Sequence, residues 1–294
     1  MKLTIKIGPA VIRFIADTPP HDWPHEFCGV FEDRNSLPPT VTIQVRTDAP
    51  KPHGKPRFLY ELPNQWRVYQ ERGRVRLEIL EQMHFLPRQV CFITPKWDQI
   101  DLHLIPLTYR SPGLRQKGWY LGDVAEPLIQ WWLTGWLALR RKGMILHGAA
   151  VSLSGKGLAF IGHSGAGKTT ISRLFRTHSS AQVLNDERIL LWREGKHWHV
   201  AGTPWHGELR QVSKGAALLK RFSVLVQATD NQFLPRPPQP VLKSIFTEAY
   251  LPLWNQEAMA RLVEAATRLV KDVPSGELRF TQDNRIVRYL YERV

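Results

Sequence analysis

Residues Gly162-His163-Ser164-Gly165-Ala166-Gly167-Lys168-Thr169-Thr170 satisfy every fixed position of the phosphate-loop pattern G-x-x-x-x-G-K-[ST]. Their flanks constrain the chain further. Leu158-Ala159-Phe160-Ile161 is a short apolar run suited to a buried strand, and Thr170 to Phe175 opens a helical pattern directly after the loop. Strand, glycine turn and helix are the context in which such a loop works. Glycine tolerates backbone angles that a Cβ forbids, so successive N–H groups can face phosphate oxygens at the start of a helix. The expected ligand is ATP, or another nucleoside triphosphate, held by Gly162 through Thr170. Lys168 is then expected on the β/γ-phosphates and the Thr169 hydroxyl on Mg²⁺.

Charge and apolar content narrow the partners. Forty Lys+Arg against 26 Asp+Glu leave a formal charge of +14 over 294 residues, a balance that favours anionic ligands or an acidic protein acceptor. The basic residues are spread along the chain and form no block, so nucleic acid is not expected. Leu128 to Leu139 is the most apolar stretch, but it is too short for the roughly 20 residues that a bilayer needs, and Arg140-Arg141-Lys142 ends it. No membrane span is expected. Cys28 and Cys91 are the two cysteines, neither lies in a C-x-x-C, and Met1 to Ile5 does not resemble a signal peptide. A cytoplasmic location with two free thiols follows as the expectation, and association with a second copy is compatible with the composition.

The chain separates into two parts. Residues 1–118 are predicted to form a β-rich module: Leu3 to Ile7 and Ala10 to Ile15 alternate across Gly8-Pro9 as a hairpin, and further β-branched or aromatic runs follow, bounded by Pro, Gly or Asn. Arg72-Gly73-Arg74 is predicted to be a tight turn and the proline-laden stretch from Ala49 to Pro56 a loop. His21, His25, His53, His84 and His103 lack metal-ligand spacing and are expected to be surface or satisfied core groups. A polar joint between Pro112 and Trp119 marks the boundary. Residues 119–294 are predicted to be α/β, with mixed sheets and flanking helices. A helix is expected from Asp123 to about Arg141, its Trp131, Trp132 and Trp136 packing in a core between the two modules, and a hairpin of Met144 to Leu153 with the loop strand feeds the phosphate cradle. Helices are predicted over Ser244 to Leu253, Glu257 to Val270 and Asp283 to Val294, and strands over Phe222 to Gln227 and Val273 to Phe280.

Two further segments carry chemistry. Gln182 to Trp192 is an apolar strand interrupted by Asp186-Glu187, and a phosphate-loop enzyme needs a carboxylate at a strand end to hold Mg²⁺ or accept a proton. Gly202-Thr203-Pro204-Trp205-His206-Gly207-Glu208 is a rigid loop whose Trp205, His206 and Glu208 are candidates to meet an acceptor.

Leu146 to Val151 with His147-Gly148, the loop at 162–169, and Leu184-Asn185-Asp186-Glu187-Arg188 together resemble the His-Gly, phosphate-loop and Asp-Asp blocks of the HPr kinase/phosphorylase catalytic domain. Closer still is the likeness to HPr-kinase-related proteins with a Gly-Thr-Pro-Trp loop, here 202–205, and a segment like Val273 to Phe280. The resemblance covers roughly the second half of the chain. It implies a fold shared with phosphoenolpyruvate carboxykinase and transfer of a γ-phosphoryl group to a hydroxyl, usually serine. Asp186 would be the base or a metal ligand, Glu187 its acidic neighbour, and His147 a group beside the reacting atoms. Glu187 stands where the kinase/phosphorylase has aspartate, and its glycine-rich signature is absent, so a true HPr kinase is not implied. A small-molecule hydroxyl kinase, a non-catalytic nucleotide sensor and a simple hydrolase are the competing expectations.

Overall fold

The structure, a computed structural model, describes residues 1–22, 24–35, 37–48, 50, 54–80, 87–105 and 120–293. The joint expected between Pro112 and Trp119 lies outside these residues, as do His53, His84 and much of the 49–56 loop. The chain divides into two compact units, Met1–Leu133 and Thr134–Val294, and both contain a large mixed sheet, so the molecule is α/β and rich in strands.

The first unit carries β1 (Lys2–Ile7), β2 (Ala10–Ala16), β3 (Val41–Arg46), β4 (Arg57–Leu62), β5 (Trp66–Glu71), β6 (Arg74–Leu80), β7 (Pro87–Ile93) and β8 (Gln99–Leu104) in one sheet of order β1-β2-β3-β8-β7-β6-β5-β4. Alternation builds it: Leu3, Ile5 and Ile7 of β1 are buried while Lys2 and Lys6 are exposed. Gly8 at φ 54° closes the first hairpin, and Arg72 and Gly73, at φ 46° and 79°, close the tight turn between β5 and β6. The β2–β3 and β3–β8 pairings are parallel, the remainder antiparallel. A run of helical turns follows: α1 (Leu121–Val124), Ala125–Ile129, α2 (Gln130–Trp136) and Leu137–Arg141. Its Trp131, Trp132 and Trp136 are buried. Trp131 stacks on Trp97 with ring centroids 5.6 Å apart, and the Trp132 indole donates to the Trp97 carbonyl at 3.0 Å. Both cysteines are free thiols, with burial pushing the Cys28 thiol up to about 11.

In the second unit β9 (Met144–Leu153) and β10 (Lys156–Ile161) form the expected hairpin across Ser154-Gly155, and the loop leads into α3 (Lys168–His178). Next come β11 (Gln182–Asn185), β12 (Arg188–Glu194), β13 (His197–Gly202), β14 (Ala216–Gln227), β15 (Gln232–Pro235), α4 (Pro238–Glu248), α5 (Gln256–Asp272), β16 (Ser275–Phe280) and α6 (Arg285–Tyr291). Pairings β10–β9–β12–β13–β14 return to β10 through a parallel β10–β14 ladder, so these five strands close on themselves, and β16 and β15 extend from β14. β14 begins six residues before the predicted Phe222, because Ala217 and Leu219 already point inward between exposed Ala216 and Lys220. α4 departs from the predicted Ser244 to Leu253: it starts at Pro238, since proline is tolerated in a first helical turn, and ends before Pro252. α5 is capped by Asn255, whose side chain accepts from the Ala258 N–H at 2.9 Å. Two cores flank the sheet. One joins α4 and α5 to Trp198, Phe222 and Leu146; the other joins α3 and α6 to Phe160, Leu278 and Phe280. Among the described residues no helix is long and apolar enough to cross a membrane.

Candidate phosphate-binding site

Between β10 and α3 the backbone takes the turns its glycines permit. Gly165 and Gly167 have φ of 82° and 104°, and α3 begins at Lys168 with no side chain capping its N-terminus. The first N–H groups of such a helix have no intrahelical acceptor and carry the positive end of its dipole, which suits an anion. A Cβ on Gly167 would lie 2.5 Å from Cζ of Phe280, whereas one on Gly165 would meet nothing within 4 Å. The loop therefore rests against the α3/α6 core at Gly167 and opens to solvent at Gly165. His163, Ser164 and Gly165 are exposed, while Gly162 and Ala166 are buried. Gln227 steadies the crest by donating to the Gly165 carbonyl at 2.6 Å. Gly167→Ala, combining positive-φ backbone strain of about 1–3 kcal/mol with the Phe280 clash, is expected to lower the thermal midpoint and remove nucleotide binding, as read by melting curves and calorimetry.

Lys168 folds back over the loop, donating to the Gly162 carbonyl at 2.6 Å and approaching that of His163 at 3.5 Å. It is 8% exposed. Burial pushes its ammonium below the ordinary lysine value, against the opposing charges of Glu248 and Glu187. Loop carbonyls bind an ammonium less strongly than an anionic oxygen does, so the Lys168 cation is available to an anion at the loop. Thr169 and Thr170 follow in the first turn of α3, half-buried.

A cleft of about 650 Å³ adjoins the loop, walled by Gly162, His163, Gly165 and Ala166, by Val224 to Gln227 at the end of β14, and by Lys243, Ser244, Thr247 and Glu248 of α4. This size suits a small-molecule ligand. His147, on β9 opposite Arg188 of β12, stands between two carboxylates: Nδ1 is 3.1 Å from Glu248 and Nε2 3.5 Å from Glu187. Glu248 and Glu187 are also the acidic groups whose charge favours the Lys168 ammonium. Glu248 was not expected from sequence, where it is one acid in a helical stretch; the isolated bridge between Leu146 and Ala249 and the Tyr250 N–H to Ile145 carbonyl bond help to hold that end of α4 against β9.

Asp186 has a different setting from its neighbour. It is 1% exposed, Oδ1 accepts from the Gly207 N–H at 3.2 Å and Oδ2 from the Leu209 N–H at 3.1 Å. Asn185, fully buried, completes the fastening: its amide donates to the Thr203 and Trp205 carbonyls at 2.9 and 3.0 Å, and its oxygen accepts from the Glu187 and Arg188 N–H groups. The Thr203 hydroxyl closes the seam on the Arg188 carbonyl at 2.7 Å. The Gly-Thr-Pro-Trp loop is thus stitched to the Asn185–Arg188 corner by buried hydrogen bonds. Of its candidate acceptor contacts, Trp205 is buried with the Arg188 guanidinium 5.9 Å over its ring, while His206 and Glu208 are exposed. Asn185 carries no sequence signal of this role, because its partners lie 18 and 20 residues away.

Among the described residues no group of three or more His, Cys, Asp or Glu side chains is placed to hold a metal ion by itself. Mg²⁺ needs no such cage beside a nucleotide, since one or two protein oxygens and the phosphates suffice. Thr169 and Glu187 fit that donor chemistry. Compared with known proteins, the chain matches no family model and no curated protein.

Proposed function

We propose that the second unit is a nucleotide-dependent phosphotransferase of the HPr-kinase-related, phosphoenolpyruvate-carboxykinase-like type, moving the γ-phosphoryl group of ATP to a hydroxyl, with serine in a peptide or protein as the acceptor. The observation that carries this reading is the row His147–Glu187–Glu248 set against the phosphate-loop lysine, because a pure sensor needs the cradle but no acid–base group beside it. The cleft walled by the loop and α4 supplies room for the nucleotide.

In this scheme the loop N–H groups and Lys168 hold the triphosphate and neutralise charge on the transferring group. Mg²⁺, when bound, would be held by the Thr169 hydroxyl and the phosphates and would supply charge neutralisation there, leaving Glu187 to His147. The acceptor oxygen forms the new P–O bond as the bond to the β-phosphate oxygen breaks, and its proton passes to the Glu187–His147 pair. Glu248 acts through His147, keeping the ring turned toward Glu187. Asp186, in the base position implied by the resemblance, serves here as the anchor of the 203–209 loop.

The test is incubation with γ-labelled ATP and serine-containing peptides, followed by mass spectrometry, for the wild type, Glu187→Gln and Glu248→Gln. Label on a peptide hydroxyl, reduced roughly 10²-fold or more by Glu187→Gln, is the expected result. Tight ATP binding with neither peptide label nor phosphate release would establish a sensor instead, and phosphate release alone a hydrolase.

A further inference from the structure

A second cavity, of about 380 Å³, lies between the C-terminal part of α5, the β12–β13 hairpin and Lys142. It has no lining residue in common with the phosphate-loop cleft. Arg193 stands five positions beyond Arg188 on β12, about 16 Å of strand from the His147 end. Four cations line it, Lys142, Arg193, Arg268 and Lys271, against one acid, Glu264, which is 60% exposed and paired with Arg261 outside the cavity.

The internal counter-ion is Asp272, and it is already in use. Its carboxylate accepts Nε of Arg193 at 3.2 Å, Nε of Arg268 at 3.0 Å and the Trp198 indole N–H at 3.3 Å. Engaging both arginines through Nε leaves their terminal amino groups, four N–H donors on each, with no protein acceptor among the described residues. Lys142 and Lys271 likewise have no ion-pair partner among the described residues. Lys142 is held at φ 50°, a left-handed conformation rare for a side chain of its type, where it terminates the Leu137–Arg141 turns. The floor, Trp198 and Ala265, is buried and apolar. A basic protein carries many surface lysines, but these four cations converge on a concavity, donors outnumber acceptors, and one carboxylate serves two guanidinium groups. Like charges gathered this way are relieved by a multivalent oxyanion, for which paired guanidinium and ammonium donors are suited.

We propose that this cavity is a binding site for a compact polyanion of phosphate or polycarboxylate chemistry, separate from the nucleotide site.

The probes are inorganic phosphate and citrate, titrated calorimetrically into the full chain and followed by thermal melting in the wild type, in Lys168→Ala to silence the phosphate loop, and in Lys142→Asn/Lys271→Gln. Asparagine is chosen at 142 because it tolerates positive φ. The expected result is binding that persists in Lys168→Ala and weakens at least tenfold in the double variant, with a melting point unchanged when no anion is present. Preference for citrate identifies a polycarboxylate ligand, and preference for phosphate a phosphate-bearing one. Binding lost in Lys168→Ala, or equal in the double variant and the wild type, overturns the proposal and leaves an adventitious ion only. Should the double variant melt early, Lys271→Gln alone, at an exposed helix position, replaces it: a smaller loss of affinity supports the site, and unchanged affinity overturns it.

Discussion

Lys168→Ala is expected to abolish nucleotide-dependent transfer, by roughly 10²–10³-fold or more, while leaving the fold intact. The side chain makes its bonds to carbonyls of its own loop and, among the described residues, belongs to no ion pair that holds distant elements together, so its loss removes charge at the loop with little cost in packing. The pH dependence follows from its burial. The free protein disfavours the ammonium, which lies below the ordinary lysine value; bound phosphate favours it. Nucleotide binding is therefore expected to take up protons as pH approaches the lowered value, and affinity to fall as pH rises through it. The same shift has a sign in stability. Below the lowered value the buried ammonium opposes folding in full, and that penalty fades as pH rises toward the ordinary lysine value of 10.5. Calorimetric titration of an ATP analogue in buffers of different ionisation enthalpy measures the proton uptake. An affinity in Lys168→Ala equal to that of the wild type would remove the nucleotide from this loop.

Asp186→Asn is expected to cost stability and to loosen the acceptor loop. Both carboxylate oxygens accept backbone N–H groups in a position that is 1% exposed, and the amide replaces one acceptor with a donor facing a donor. A buried hydrogen bond to a charged acceptor contributes about 1.5–3 kcal/mol, and an orphaned buried N–H costs about 1–3 kcal/mol. The sum, about 2.5–6 kcal/mol, corresponds to a fall of about 10 °C or more in the melting point of a unit this size. Hydrogen exchange at Gly207 and Leu209 should accelerate together with that fall, since one of these amides loses its acceptor and the other keeps only a neutral one. Transfer activity then declines through the loop. If the melting point and the exchange of both amides stay at wild-type values while transfer collapses, Asp186 is the base and the anchoring role is refuted. The fully buried Asn185 offers a control: Asn185→Ala breaks the same corner from the other side and should accelerate exchange at Glu187 and Arg188.

Most strands and the long helices were legible because each announces itself within a few residues. β1 alternates, β9 and β10 flank a Ser-Gly turn, and Asn255 caps α5 three residues before its acceptor bond closes. Element ends were less legible where proline has two meanings: Pro238 and Pro240 lie in the first turn of α4, ahead of the expected start at Ser244, while Pro252 follows the end of that helix inside the stretch expected to be helical. The parallel ladders were not legible at all. Residues 156–161 pair with 218–224, and 222–227 with 275–280, across separations that local periodicity does not encode.

At the site the division is the same. The phosphate loop is contained in consecutive residues, and its chemistry needs only glycine turns followed by a helix, so the sequence alone determined that cradle and the lysine in it. Only the tertiary structure decided which acid does what. Asp186 and Glu187 are neighbours in the chain, yet at the corner between β11 and β12 one carboxylate is closed inside a buried hydrogen-bond seam and the other meets His147. The third member of that row, Glu248, is 101 residues from His147 and comes into contact because the end of α4 docks against β9. A local pattern can specify a local backbone; burial and hydrogen-bond partners belong to the packed whole, and those are what separate an anchoring carboxylate from one that pairs with His147.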